Sequence, residues 1–140
     1  MLRYLGIDYG HRRIGLAVGE AATKIVSPSK SVRASGDLQR DAEAVLQAAQ
    51  AYHVDAFVIG LPLNMDGTEG EQARLSRRFA EVLGPRVGRP VHLFDERLSS
   101  FAADERLNRR DLTRKKRRAR RDALAAQCML EAFLAAQTDR

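Results

Sequence analysis

The chain reads as an α/β domain in which a mixed sheet is covered by helices, and two observations predict it. Strand-like runs come first in hairpin order, at 2–8 and 12–19, and short apolar runs then alternate with segments of helical spacing. At 140 residues and 44% hydrophobic content the chain has room for one substantial core. The expectation is a single domain spanning residues 1–140.

Residues 2–8 and 12–19 are apolar-rich and are separated by Gly10-His11-Arg12-Arg13, a hairpin-like connection. Residues 25–33 are expected to be extended and, because Pro28 lacks an N–H, to lie at an edge. From Asp37 to about Tyr52 the residues Leu38, Ala42, Val45, Leu46 and Ala49 fall at helical spacing. Residues 54–60 form a short buried strand, and the loop Leu61-Pro-Leu-Asn-Met-Asp-Gly67 follows. Thr68 and Glu71 have the spacing of a capping box for a helix to about Leu83. Gly84-Pro85 and Gly88-Arg89-Pro90 end that helix and lead to a strand finishing at Asp95-Glu96. Ser99 or Ser100 can cap a short helix to about Arg109. A basic segment then precedes a last helix from about Ala119 to Gln137.

Composition narrows the function. The net charge is +6, from 24 basic and 18 acidic residues. Seven of the eight residues from Arg114 to Arg121 are Arg or Lys, and removing those seven from +6 leaves −1. The positive charge is therefore concentrated in one segment, a footprint for a polyanion, although a solvated basic loop has the same composition. The single cysteine, Cys128, excludes an internal disulfide framework and a cysteine-based zinc site. No apolar run approaches the roughly 18 residues of a membrane span, and no signal-peptide core precedes Asp8. A cytoplasmic protein without a membrane partner is expected, as a monomer or homodimer.

Three carboxylates carry the chemistry. Tyr4, Gly6 and Asp8 share one face of the first strand, and Asp8 emerges at its carboxyl end, where open α/β sheets bind ligands. A turn aspartate beside Gly10 would read the same way. Asp95 and Glu96 point to opposite faces, so only one of them can join Asp8. Glu96 is the candidate, with an ion pair to a nearby base as its structural alternative. Asp122, Ala126, Met129 and Phe133 share one helical stripe, which turns Asp122 towards the sheet. A first-turn acid favoured by the helix dipole is the competing explanation. Converging beside a cationic surface, Asp8, Glu96 and Asp122 suit a metal-dependent phosphodiesterase, since hard Mg²⁺ or Mn²⁺ ions take oxygen ligands. Two such ions, roughly 3.5–4 Å apart, can serve an in-line phosphodiester displacement. His11, His53 and His92 have no ligand spacing, and no Ser/His/Asp or Cys/His set is visible.

The motifs Gly6-Ile-Asp8-Tyr-Gly10-His-Arg-Arg13-Ile-Gly15-Leu-Ala-Val-Gly19, Gly60-Leu-Pro-Leu-Asn64-Met-Asp-Gly67, Asp95-Glu-Arg97-Leu-Ser99 and Asp122-Ala-Leu-Ala-Ala126 resemble the YqgF/RuvX family. Its members are described as Holliday junction resolvases and as pre-16S rRNA nucleases. The match runs in order over essentially the whole chain, and the block from Gly60 to Gly67 is its most specific element. The resemblance implies an RNase H-like fold, a five-stranded mixed sheet flanked by helices whose first three strands are antiparallel. It also implies that Asp8, Glu96 and Asp122 are catalytic. The stretch before Asp122 is denser in arginine than the family pattern.

Several basic or polar residues are candidates for the phosphate backbone: Arg12, Arg13, Asn64, Arg97, Arg114, Lys115, Lys116, Arg117 and Arg118. Asn64 can equally build a turn, and Arg97 can equally pair with a carboxylate. The expected activity is two-metal hydrolysis of structured nucleic acid, with maturation of the 5′ end of pre-16S rRNA ahead of four-way DNA junctions. The rival from another class is a non-catalytic nucleic-acid-binding transcription factor, which would not need three convergent carboxylates. The motif from Gly6 to Gly10 also resembles the phosphate-binding hairpin of sugar kinases and actin-like ATPases, but 140 residues leave no second domain to close over a nucleotide.

Overall fold

A computed structural model describes residues 2–99 and 114–137, with side chains in the second stretch from residue 123 onward. The sheet begins with β1 (Arg3–Tyr9) and β2 (Arg13–Glu20), a hairpin in antiparallel register with Asp8 opposite Gly15. β3 (Val26–Pro28) and β4 (Val32–Arg33) both pair antiparallel with β2, at different points along it. The single extended run expected at 25–33 is thus divided. Pro28 cannot donate to continue the ladder, and the Ser29 amide donates to the Leu16 carbonyl at 2.8 Å as the chain crosses to its second pairing.

β5 (Ala56–Leu61) and β6 (Val91–Asp95) complete the sheet by parallel pairing, giving the order β3-β2-β1-β5-β6 with β4 as a short addition to β2. The five expected positions are filled, and the third is filled twice. Because β1, β5 and β6 are parallel, their carboxyl ends lie at one edge of the sheet.

Helix α1 (Leu38–Gln50) is capped by Asp37, which accepts from the amides of Gln39 and Arg40. With α2 (Glu71–Val87) it covers one sheet face, burying Ala42, Val45, Phe79 and Leu83 against Leu5, Ile7, Ile14 and Ile59. The expected capping box does not form. Gly70 is the N-cap of α2, and Thr68 is instead bonded to Asp66. Gly84 and Pro85 lie inside α2, whose end is Gly88 in the left-handed region at φ 59°. Pro85 falls in the last turn of α2.

Helix α3 (Arg114–Gln137) covers the opposite face, with Ala126, Met129, Leu130 and Phe133 packed on Tyr4, Ala17, Val26 and Val58. Close approach depends on Gly6, where a Cβ would stand 3.0 Å from Leu130 Cβ and 3.3 Å from the Ala126 carbonyl. The expected start near Ala119 is five residues late. The basic run is itself the first two turns of α3, so Asp122 is not in the first turn. The helix dipole acts only over the first turn, and therefore does not explain an acid at that position. The short helix expected from Ser99 or Ser100 to Arg109 lies outside the described residues except for its start. There Glu96–Leu98 form a 3₁₀ turn that closes at Ser99. No helix among the described residues is long and apolar enough to cross a membrane.

Candidate active site

Asp8 sits one residue before the end of β1, on the face covered by α3. Its neighbours in register on that face carry no side chain. Gly15 is opposite it on β2, and Gly60 follows Ile59, the β5 partner of Ile7. Asp8 therefore projects from a row floored by glycines.

Glu96 comes to the same place from the end of β6. A Cβ on Gly60 would lie 2.3 Å from Glu96 Oε1 and 2.8 Å from its Cγ, so the glutamate occupies the space that Gly60 leaves open. The residue as a whole is half-buried, but Oε1 is shut off from solvent with no hydrogen-bond partner among the described residues. Burial, then the charge of Asp8 and a hydrogen bond shared with Asp8, push the Glu96 carboxyl up to about 9. At neutral pH the pair therefore shares a proton. An orphaned buried oxygen beside a second carboxylate is a donor set suited to a hard divalent cation. Among the described residues no third Asp, Glu, His or Cys completes a metal cluster.

Asp122 lies in α3 one turn before Ala126, and Ala126 stands against Gly6, two residues before Asp8. The helix axis thus advances towards the Asp8 end of β1, while the Asp122 side chain falls outside the described residues. The same holds for the side chains of Arg114, Lys115, Lys116, Arg117 and Arg118, whose backbone forms the first turns of α3.

Asp95 turns away from the pair. It caps the 3₁₀ turn by accepting from the Arg97 amide at 2.9 Å and grips the Arg97 guanidinium through Nε at 3.0 Å and Nη2 at 2.7 Å. That partner holds the Asp95 carboxyl below its ordinary value. Arg97 also donates through Nη1 to the Met65 carbonyl at 3.1 Å, pinning the loop after β5. The pairing with a carboxylate, one of its two expected roles, is thus present. Asn64 serves the turn: its Nδ2 donates to Thr68 Oγ1 at 3.0 Å and its carbonyl accepts from the Gly67 amide at 2.8 Å. Arg12 is exposed and Arg13 half-buried on the hairpin beside Asp8.

Residues not singled out from the sequence support this edge. Gln72 of α2 donates through Nε2 to the Tyr9 carbonyl at 2.6 Å. The Tyr9 ring stacks on Phe79 with centroids 4.3 Å apart, and its hydroxyl donates to Asp41 Oδ2 at 2.5 Å. Burial, reinforced by Asp41, keeps the Tyr9 phenol protonated well above its ordinary range. A signal for Asp41 exists in the chain, since it lies four and eight residues before Val45 and Ala49 on the buried stripe of α1.

The sheet order, with helices on both faces, defines an RNase H-like fold. RuvC from Thermus thermophilus superposes with a TM-score of 0.60 at 18% identity, covering 99% of this chain and 97% of that chain. The same protein in complex with a Holliday junction substrate gives 0.58 at 17%, covering 99% and 96%. At these identities the likeness is one of fold. The chain belongs to the RuvX family, described as Holliday junction resolvase, which it matches over residues 2–136. A relative from Anaeromyxobacter dehalogenans (strain 2CP-C), named "Putative pre-16S rRNA nuclease", is 45% identical over 133 residues, 95% of this chain and 96% of its own.

Proposed function

We propose that residues 1–140 act as a single nuclease domain that hydrolyses phosphodiesters in structured nucleic acid, with the 5′ end of pre-16S rRNA as substrate. The observation that carries this reading is the Asp8–Glu96 pair, held on a glycine floor at the carboxyl edge of the sheet with an orphaned carboxyl oxygen. Such a pair repels in isolation and is relieved by a cation. Asp8, Glu96 and Asp122 would hold Mg²⁺ or Mn²⁺, as one or two ions. The metal supplies charge stabilisation at the phosphoryl oxygens.

The chain's own contribution is positional. Gly60 admits the Glu96 carboxyl, α3 carries Asp122 towards the site, and the Arg97–Asp95 pair fixes the loop that follows β5. The cationic first turns of α3 attract the phosphate backbone and read no base. The name carried by the Anaeromyxobacter relative favours RNA, whereas the family description favours a second reading as a Holliday junction resolvase.

The test is cleavage of labelled pre-16S rRNA and of a four-way DNA junction, each with EDTA, Mg²⁺ or Mn²⁺. Cleavage of the RNA only with metal is expected, as is loss by orders of magnitude in Asp8→Asn, Glu96→Gln and Asp122→Asn while binding is retained. Robust cutting in EDTA, or a wild-type rate in Asp122→Asn at saturating metal, would overturn the mechanism. Junction cutting alone would select the second reading.

A further inference from the structure

Arg13 and Arg33 are direct register partners across the β2–β4 pair. They lie on the face of the sheet that carries Asp8, because β2 alternates and Arg13 shares a face with Gly15, the partner of Asp8. Like charges directly opposite one another in an antiparallel pair are destabilising. Arg3, Arg77, Arg86, Arg89 and Arg97 each have a carboxylate partner. Arg13 and Arg33 have none among the described residues, and Arg33 is exposed.

The Arg13–Arg33 register is nevertheless held in place. The Ala34 amide donates to the Arg12 carbonyl at 2.8 Å, and the Gly10 amide donates to the Arg13 carbonyl at 3.0 Å. The Ser35 amide and hydroxyl both donate to Asp41 Oδ1 at 2.8 Å. Asp41, only 1% exposed, takes the Tyr9 hydroxyl on its other oxygen. A buried carboxylate without a cation is costly unless its lone pairs are satisfied, and here three donors satisfy them. Its effect is to tie the end of β4 to the residue that follows Asp8.

We propose that Arg13 and Arg33 form a clamp for one phosphodiester of the bound nucleic-acid strand, on the β2 side of the Asp8 site and outside the basic turns of α3. The choice of ligand rests on the nuclease reading. An anion between the two guanidiniums removes their repulsion, and each fork can bind phosphate oxygens bidentately. Arg13 stands two residues from Gly15, roughly 7 Å along the strand. Gly15 places no side chain between the clamp and Asp8, so one strand can pass both. Phosphate is common to RNA and DNA, and the clamp does not distinguish them.

The experiment is fluorescence anisotropy with a labelled RNA hairpin and its DNA counterpart, in EDTA over a range of salt, with wild type, Arg33→Gln, Arg33→Lys and Arg13→Gln. Each Gln variant is expected to lower the log K against log salt slope by about 1 and to weaken binding roughly tenfold at 0.1 M salt. Both probes should be affected equally, and Arg33→Lys should keep the salt slope while losing part of the affinity, because an ammonium retains the charge without the bidentate fork. Thermal melting without ligand should be unchanged or raised in Arg33→Gln, because a repulsion has been removed. Wild-type slope and affinity in Arg33→Gln would overturn the clamp, as would a fall in melting temperature that accounts for the lost binding. Weakened binding by the variants of a wild type that never cuts RNA would sustain the clamp while removing the nuclease reading. Wild-type affinity in variants of an active nuclease would remove the clamp alone.

Discussion

At the scale of single residues, Gly60 decides whether Glu96 reaches Asp8. Gly60→Ala ordinarily gains stability in a strand interior. Here the new Cβ would stand 2.3 Å from Glu96 Oε1 and drive the carboxyl out. Cleavage should fall about a hundredfold, the cost of a misplacement near 1 Å, while melting temperature changes little. Equal kcat in Gly60→Ala and wild type would remove Glu96 from the site. The shared proton gives a second expectation for metal-free protein. The Glu96 carboxyl is raised from 4.5 to about 9, so the folded state holds a proton that the unfolded chain has released. The resulting stability is fully present below 4.5 and declines as pH rises towards 9. Glu96→Gln in EDTA should flatten the decline, and Mg²⁺ in buffer without EDTA should reverse it, each followed by urea denaturation. A pH-independent wild-type curve would show that the two carboxylates do not share a proton.

At the scale of elements, the site edge is held by pieces that are weak alone. β4 has two residues, too few to persist unless tied, and Asp41 of α1 supplies the tie through Ser35 and Tyr9. Asp41→Ala leaves the Tyr9 hydroxyl and the Ser35 amide without partners, and should cost about 2–4 kcal/mol by chemical denaturation. Asp41→Asn keeps an acceptor and should cost less. The loop after β5 is self-contained by comparison, since Asp66, Thr68 and Asn64 bond one another and Arg97 holds the Met65 carbonyl. That explains why Thr68 was available for a capping box by spacing yet forms none: its hydroxyl is already committed to Asp66.

At the scale of the whole molecule, the charge is divided. Residues 114–121 carry seven cations, and without them the chain is nearly neutral at −1. Their backbone forms the opening turns of α3, at the positive end of the helix dipole, which favours an anion. Replacing Lys115, Lys116, Arg117 and Arg118 together by Gln should weaken nucleic-acid binding and flatten its salt dependence by up to about 4 units of slope. An unchanged slope in that variant would place binding elsewhere on the surface.

The chain by itself determined the α/β class, the strand and helix order, the apolar stripe of α1 and the candidacy of Asp8 and Glu96. These follow from local periodicity and from residue types whose chemistry is the same in any setting. How Glu96 reaches Asp8 was decided by the tertiary structure, because the space it fills at Gly60 arises from the juxtaposition of β5 and β6. The split of residues 25–33, the Arg13–Arg33 register across strands and the Asp41 tie also needed the fold. Each depends on register between segments distant in sequence, and no local pattern encodes that register.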